Sequence, residues 1–509
     1  MSQRVQESGL KYLIEERTPK AKDVKVNKGL IRWNASGRAI AKDRDMSEYT
    51  GVRLIPQTKI IFMNFDTIIP ILQRLQDPGP LDPNPADDAA AKDFKAFYIE
   101  HLHINQSDVA KKLALEIKTS SGTRHGYLFT GTIGSGKSTE LRRLAQHLRP
   151  NNYAIVINAQ EFLNPQMPIS IVDLLLAMAM GVWEATASEL GVDPSSGDRW
   201  NWWKSVFSAG VDVKEVELAG SVAKLKMSLH SNPNVRERLR QFHEARLDSL
   251  VSEINEFMAD AAFKIKAKRG LESTAKMVLI VDSLEHFGGQ AAAGQADEVF
   301  TSLQRMFNTF ASYLRLDGWS VVYSVPPLLH KLAPGIANAF GATSTYFLTS
   351  AHVYLDRSDT FDSATITDKL MPLVRKRVGE ENIKQLIADP ELRDIIEMTG
   401  GDLRDLIRTV RAVLLAGLGD NNNFPVTPSH LKQVYNDLRR HYLPLPANTL
   451  ARLAHVAKTY RVALQDPADW NHVISDLAQK RILLYLNGAE WYGVHPLLRD
   501  SVSHAAVTH

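Results

Sequence analysis

From about Gly126 onward, short apolar runs alternate with segments whose apolar residues fall at helical spacing. Tyr127 to Thr130 is a compact apolar run leading into glycine-rich sequence, after which Leu141, Leu144, Ala145 and Leu148 recur with the period of one buried helix face. Ala154 to Ala159, Met277 to Val281 and Ser320 to Val325 are further short runs, and Tyr346 to Leu355 is strand-like with a less clean alternation. Runs this short, separated by helical patterns, predict strands buried on both faces of a parallel sheet and joined by right-handed crossovers.

Other stretches depart from that rhythm. Ile169 to Gly270, between the second and third strands, is helical throughout and longer than one crossover needs. It is expected to be an inserted helical subdomain. Its opening, Ile169 to Trp183, is the longest apolar stretch of the chain and is interrupted by Asp173. It is shorter than the roughly 20 residues that span a bilayer, so it reads as a buried helix, and no membrane association is expected. Leu370 to Gly417 looks all-helical. Asp420 to Pro428 reads as a loop, with Thr427 or Ser429 as N-cap of a helix running to Tyr442. Leu443-Pro444-Leu445-Pro446 marks a boundary. Beyond it come two helical patterns and then two apolar runs around Asn487-Gly488, a hairpin signal. Helices followed by a hairpin predict a winged helix. Near the other end, Asp77 to Asp93 is rich in Pro, Asp and Ala and reads as a loop or linker.

These boundaries divide the chain into an N-terminal region (1–104), an α/β core (105–360, with the insertion at about 169–270), a helical lid (361–443) and a winged-helix domain (444–509). A chain of 509 residues with 44% hydrophobic and 23% charged residues is ordinary globular material. It contains no cysteine, which excludes disulfides, thiolate zinc sites and a thiol nucleophile. Met1 to Leu13 lacks the basic-then-apolar pattern of a signal peptide, and a cytoplasmic location is expected. The net charge of +3 is an average over two surfaces: Arg17 to Arg44 carries +7 and the remainder −4. Trp33, inside the basic window, suits stacking on a base. Residues 17–44 therefore suggest either a nucleic-acid contact or a solvated arm, including one that docks on an acidic partner.

The candidate chemistry begins where the first strand ends. Gly131-Thr132-Ile133-Gly134-Ser135-Gly136-Lys137-Ser138 fits G-x-x-x-x-G-K-[ST]. Glycines there let backbone N–H groups turn inward around phosphates, and the following helix points its positive end at them. Lys137 should reach the β- and γ-phosphates and Ser138 should bind Mg²⁺, with Gly131, Thr132, Gly134, Ser135, Gly136 and Thr139 completing the cradle. Asp282 ends the third strand, at the sheet edge where open α/β folds bind ligands, and is assigned to Mg²⁺ through water. Glu285, three residues on, is the candidate to polarise an attacking water, with His286 as the alternative. Ser324, at the end of the fourth strand, either contacts the γ-phosphate and positions water or merely ends the strand.

This order of features resembles the additional-strand (ASCE) P-loop ATPases, in the AAA+ and STAND branch, over about residues 105–505. The Asp282-Ser283-Leu284-Glu285 spelling is closer to STAND and NACHT ATPases than to the adjacent Asp-Glu of most AAA+ proteins. Thr399-Gly400-Gly401-Asp402-Leu403-Arg404 resembles the second-sensor helix of origin-recognition-type ATPases, which implies that Arg404 touches the γ-phosphate from the lid. Val494-His495-Pro496-Leu497-Leu498-Arg499-Asp500 is similar to the Met-His-Asp motif of STAND winged helices, except that Pro496 replaces the Asp. By that resemblance His495 reads the ADP β-phosphate. The sequence departs from AAA+ rings in having no Arg between Leu316 and Asp356, where a trans-acting finger would lie, although Arg315 and Arg357 flank the gap.

The resemblance implies a five-stranded parallel sheet, ATP or ADP with Mg²⁺ as cofactors, and hydrolysis that drives a switch. Its output would be assembly into a homo-oligomer or contact with a separate effector protein. Stand-alone bacterial ATPases of this look serve in antiphage defence, an analogy of class only. Two alternatives stay open: an origin-recognition-like or transposition-like ATPase loaded on DNA, and a nucleotide-locked scaffold without turnover. Against DNA, residues 445–501 carry six Lys/Arg and five Asp/Glu, a weak footprint for phosphate contacts.

Overall fold

The computed structural model describes residues 65–507 apart from 77–78, 85–86, 101, 103–107, 123, 196, 209–220, 288–294, 341–344, 358–359 and 464–466; before residue 65 it describes only the strand backbone of 5–7, 10–15, 32–33, 39–40 and 53–56. The basic window 17–44 thus lies outside the described residues, except for the short antiparallel pair Arg32–Trp33 and Ala39–Ile40.

Five strands form the central sheet: β1 (Arg124–Gly131), β2 (Tyr153–Asn158), β3 (Met277–Asp282), β4 (Trp319–Val325) and β5 (Thr345–Leu348). Their spatial order is β5-β1-β4-β3-β2, and every pairing is parallel. This is the α/β class with the all-parallel five-stranded sheet expected from the sequence. β3 and β4 are buried along their whole length, which is why they read as unbroken apolar runs. β5 is shorter than the apolar pattern suggested. It ends at Leu348, and 349–353 leave the sheet toward the helical bundle.

Three helices of the described residues precede the sheet in the chain, α1 (Phe65–Arg74), α2 (Asp88–Phe97) and α3 (Val109–Thr119). α2 begins inside the stretch read as a linker. Its start is set by Asp87, whose carboxylate accepts from Ala89 N and Ala90 N, a capping arrangement that the surrounding prolines hide. Alternate strand residues then divide between the two faces. Tyr127, Phe129, Val278, Ile280 and Val322 pack under α3 (Val109–Thr119) and α4 (Lys137–Leu148). Leu128, Leu279, Val281, Val321 and Tyr323 face the larger core on the other side.

The insertion supplies much of that larger core. It comprises α5 (Ile171–Leu190), α6 (Gly197–Ser208), α7 (Val222–Ser231), α8 (Pro233–Glu244) and α9 (Leu247–Arg269). Although α5 is long and apolar enough to cross a membrane, it packs as a core helix here. Trp202 stacks on Phe257 at 5.4 Å, and Trp203 meets the same ring edge-on. α10 (Gln295–Thr309) completes this side.

The segment after the sheet folds as a bundle of α11 (Met371–Val378), α12 (Glu380–Leu386), α13 (Asp389–Met398), α14 (Leu403–Gly419) and α15 (Pro428–Arg440). Thr427 is the N-cap of α15, one of the two residues expected there. Ile68, Ile71, Leu72 and Leu75, on and just after α1, join the bundle's core, so the chain before the sheet is packed into the region after it. The C-terminal unit is α16 (Ala447–Thr459), α17 (Pro467–Ala478), the hairpin β6 (Ile482–Tyr485) and β7 (Trp491–Val494), and α18 (Arg499–Val507). Period two again sorts the hairpin. Ile482 and Leu484 fill this unit's own core, while Leu483 and Tyr485 pack into the bundle.

Candidate functional site

The turn after β1 is held open by glycine. Gly134 and Gly136 have φ of 93° and 98°, a region L side chains rarely adopt. Gly136 caps α4 without a side chain, so the first N–H groups of that helix face the loop and not a capping oxygen. At Gly131 the need is space, because a Cβ there would meet Leu348 O at 1.7 Å. Lys137 folds back over the loop, its Nζ donating to Thr132 O at 2.8 Å and Gly131 O at 3.1 Å. Ser135 Oγ also donates to Thr132 O, and Thr132 Oγ1 is bonded to Ser350 Oγ.

The end of β3 brings two acids to this lysine, and the end of β4 brings a serine. Lys137 Nζ lies 3.1 Å from Glu285 Oε1, and Glu285 Oε2 accepts from Ser324 Oγ at 2.7 Å. The Ser138 hydroxyl, next along α4, favours the charged form of the Asp282 carboxylate. Ser283, with φ of 73°, turns the chain sharply after β3, and the single helical turn Leu284–His286 swings Glu285 back toward β4. The site's electrostatics follow from burial. It pushes Asp282 up from the ordinary carboxylate range, and the neighbouring Glu285 pushes the same way. Burial acts against ionisation of Glu285 too, but the Lys137 ammonium outweighs it and holds that carboxyl below its usual range. Residues 131, 137, 138, 282, 285 and 324 are therefore one connected cluster.

The bundle closes the other side. Arg404, in the first turn of α14, lines the same cleft as Lys137 and Ser138 and makes no ion pair with any described residue. Asp402 caps α14 by accepting from Asp405 N, and its carboxylate packs against Gly134, where a Cβ would lie 2.3 Å from Oδ2. Lys480 of the C-terminal unit bridges Asp402 at 3.0 Å and Asp405 at 2.8 Å. It neutralises acids that would otherwise repel an anion at the loop. His495 does not line the cleft. It is buried behind it, its Nδ1 accepting from Leu497 N and its ring 5.3 Å from Tyr442, and burial holds its pKa down at about 3. Thr139 lines the cleft, but its Oγ1 already accepts from Leu81 N.

The cleft is open to solvent. Its far half is walled by the segment before the sheet, which the sequence did not mark as part of a site. Phe97, Ile99 and Leu102 face Leu373, Leu403 and Ile407 of the bundle. Four polar residues stand in the same wall. Tyr98 OH donates to Glu140 Oε1 at 2.9 Å, Arg143 pairs with Glu140 at 2.6 Å and with Asp108 at 2.7 Å, and the Arg143 guanidinium lies 4.8 Å from the Tyr98 ring centre. Glu140 and Arg143 fall outside the Leu141, Leu144, Leu148 stripe of α4. The clue available in the sequence was their position about one and two turns after Lys137. Arg377 of α11 also lines this half, donating to Phe97 O and Leu373 O.

The geometry is that of an anion cradle backed by a lysine, an apolar slot beyond it, and a cation on the facing bundle. No known family's sequence profile matches the chain, and no curated protein matches it. Among solved structures it is similar to the Walker-type ATPase PABY2304 of Pyrococcus abyssi, at 13% identity and a TM-score of 0.36 over 84% of this chain and 99% of that one. It is also similar to Cdc6p from Pyrobaculum aerophilum, at 13% identity and a TM-score of 0.34 over 85% of this chain and 97% of that one. A third is the Aeropyrum pernix ORC1 protein in complex with DNA, at 13% identity and a TM-score of 0.32 over 81% of this chain and 95% of that one. Likenesses this distant carry no statement about activity, which rests on the geometry above.

Proposed function

We propose that the chain binds ATP in this cleft and hydrolyses it as a nucleotide-driven switch. The observation that carries the reading is Lys137, folded over its glycine loop and paired with Glu285 at the carboxyl ends of β1, β3 and β4. A triphosphate in the loop meets the bare N–H groups of α4 and the Lys137 ammonium, and Arg404 reaches it from the bundle. Ser138 would hold Mg²⁺ directly and Asp282 would hold it through water. That ion would neutralise phosphate charge.

Glu285 is positioned to orient the attacking water and take its proton, with Ser324 fixing the carboxylate's other oxygen. In the described state Lys137 occupies Glu285. The arriving γ-phosphate competes for that ammonium and frees the carboxylate for water. Coupling to the bundle follows from Arg404 and from Asp402 against Gly134: charge changes in the loop bear directly on α14. Movement of the bundle and the C-terminal unit then alters assembly of copies or contact with an effector partner.

The test is ATP binding by calorimetry and multiple-turnover phosphate release, for the wild type, Lys137→Ala and Glu285→Gln. Lys137→Ala should lose binding, whereas Glu285→Gln should keep binding and lose turnover. Turnover unaffected by both substitutions would sink the reading. Binding without turnover in the wild type would leave the nucleotide-locked scaffold. Size measurement with ADP and with a slowly hydrolysed ATP analogue reads the switch itself.

A further inference from the structure

The cleft's phosphate end explains itself, but its far half holds charge that an apolar base does not require. Burying a carboxylate is costly, and a slot meant only to stack a base is built more cheaply from side chains such as Phe97, Ile99 and Leu102. Instead Glu140 stands in the wall at 9% exposure. Tyr98 fixes one of its oxygens and Arg143 the other. Arg143 is itself held by both oxygens of Asp108 and by the face of Tyr98. The quartet has two carboxylates for one guanidinium, so it offers acceptors in excess. An ionised carboxylate has about four lone-pair sites, and each Glu140 oxygen uses only one of its two.

Position decides what donor comes there. Glu140 lies three residues after Lys137 on α4, nearly the same helix face and about 4.5 Å farther along the axis. With a nucleotide's phosphates at the N-terminus of α4, the group at that height is the sugar, and the base continues into the apolar slot. Ribose presents two neighbouring hydroxyl donors; the phosphates present none.

We propose that Glu140 is a specificity-determining residue of the cleft, its carboxylate accepting hydrogen bonds from the ribose hydroxyls of the bound nucleotide, with Tyr98 and Arg143 as its positioning residues. This rests on the nucleotide reading above and adds to it that the site selects ribonucleotides over deoxyribonucleotides.

The experiment measures equilibrium binding of ATP, 2′-deoxy-ATP and 3′-deoxy-ATP by calorimetry to the full chain, its Glu140→Gln and Tyr98→Phe variants, and Lys137→Ala. A hydrogen bond to a charged acceptor sets the expected preference for ATP over at least one deoxy form at about ten- to a hundredfold. Glu140→Gln should bring that ratio below about threefold by weakening ATP while leaving the deoxy forms within twofold. Tyr98→Phe should shift the ratio the same way by a smaller factor, and it decides the matter if Glu140→Gln fails to fold. Equal affinities for all three nucleotides in the wild type overturn the proposal while the phosphate reading stands. So does a preference that both substitutions leave intact. Failure of every nucleotide to bind, or full affinity in Lys137→Ala, overturns the nucleotide reading and this inference with it.

Discussion

Two clusters of buried charge, each an acid paired with a cation, serve different ends. In the insertion, Asp173 forms a capping box with Ser170 at the start of α5, and Arg236 and Arg240 of α8 reach its Oδ2 at 2.9 and 2.5 Å. Both arginines also donate to Pro168 O at 2.7 Å. Burial works against the Asp173 charge, yet the two guanidiniums hold its pKa below the usual range. In the cleft, Lys137 stands between its own loop carbonyls and Glu285, with Asp282 close by. The first cluster is closed: none of its members lines the cleft. The second opens on a cavity, and its one lysine faces two carboxylates whose pKa values are driven apart. Buried charge alone therefore does not mark a site; partners that an incoming anion can exchange do.

The comparison breaks most readily at Asp173. Asp173→Ala leaves Arg236 buried without its carboxylate and should cost about 3–5 kcal/mol in urea unfolding. ATP affinity of the protein that still folds should stay within about twofold of wild type, and a large loss of affinity would erase the distinction between the clusters. Lys137→Ala is expected to do the reverse. ATP affinity should fall by about a hundredfold, roughly 2.7 kcal/mol, measured by calorimetry, and the unfolding free energy should drop by less than half the Asp173→Ala loss. Gly134→Ala comes next. A Cβ there has φ of 93° to contend with and the Asp402 carboxylate at 2.3 Å. It should cost about 1–3 kcal/mol and open the contact between loop and bundle, read as faster amide exchange at the start of α14.

The smallest effect is a pH slope. His352 is buried at 1% exposure, neither ring nitrogen has a partner among the described residues, and burial lowers its pKa to about 4. The unfolded chain takes up this proton near the ordinary histidine value and the folded chain does not. Stability from His352 is thus fully present above about pH 6.5 and is lost as pH falls toward 4, by at most about 1.4 kcal/mol per pH unit. His352→Phe should flatten unfolding free energy against pH in that window, and an unchanged slope would show that the ring titrates in the folded protein as it does in the unfolded chain.

What could be read before folding follows from local rules. The run Met277–Asp282 and the phosphate loop each depend on neighbours within a few residues, so period and motif suffice. Tyr98 and Asp108 could not be found that way, because they meet Glu140 and Arg143 only after some 35 to 42 residues of intervening chain. α2 was hidden by the prolines before it, and α1 gave no sign that Ile68 and Leu75 belong to a core some 300 residues away. His495 shows the opposite risk. Its motif pointed to a phosphate, yet the fold sets it behind Asp402 and Lys480, bonded within its own turn.

The sequence by itself determined a parallel α/β core, a glycine loop with Lys137 and Ser138, and two acids at the end of the third strand, because alternation and loop chemistry are written in short stretches. Only the tertiary structure decided that Glu285 swings back onto Lys137, that Arg404 faces the loop without a counter-ion among the described residues, and that Phe97, Tyr98, Ile99, Leu102 and Asp108 wall the far half of the cleft. Those facts depend on burial and on contacts between distant segments. Burial sets which charges must be paired, and so which can be exchanged for a ligand.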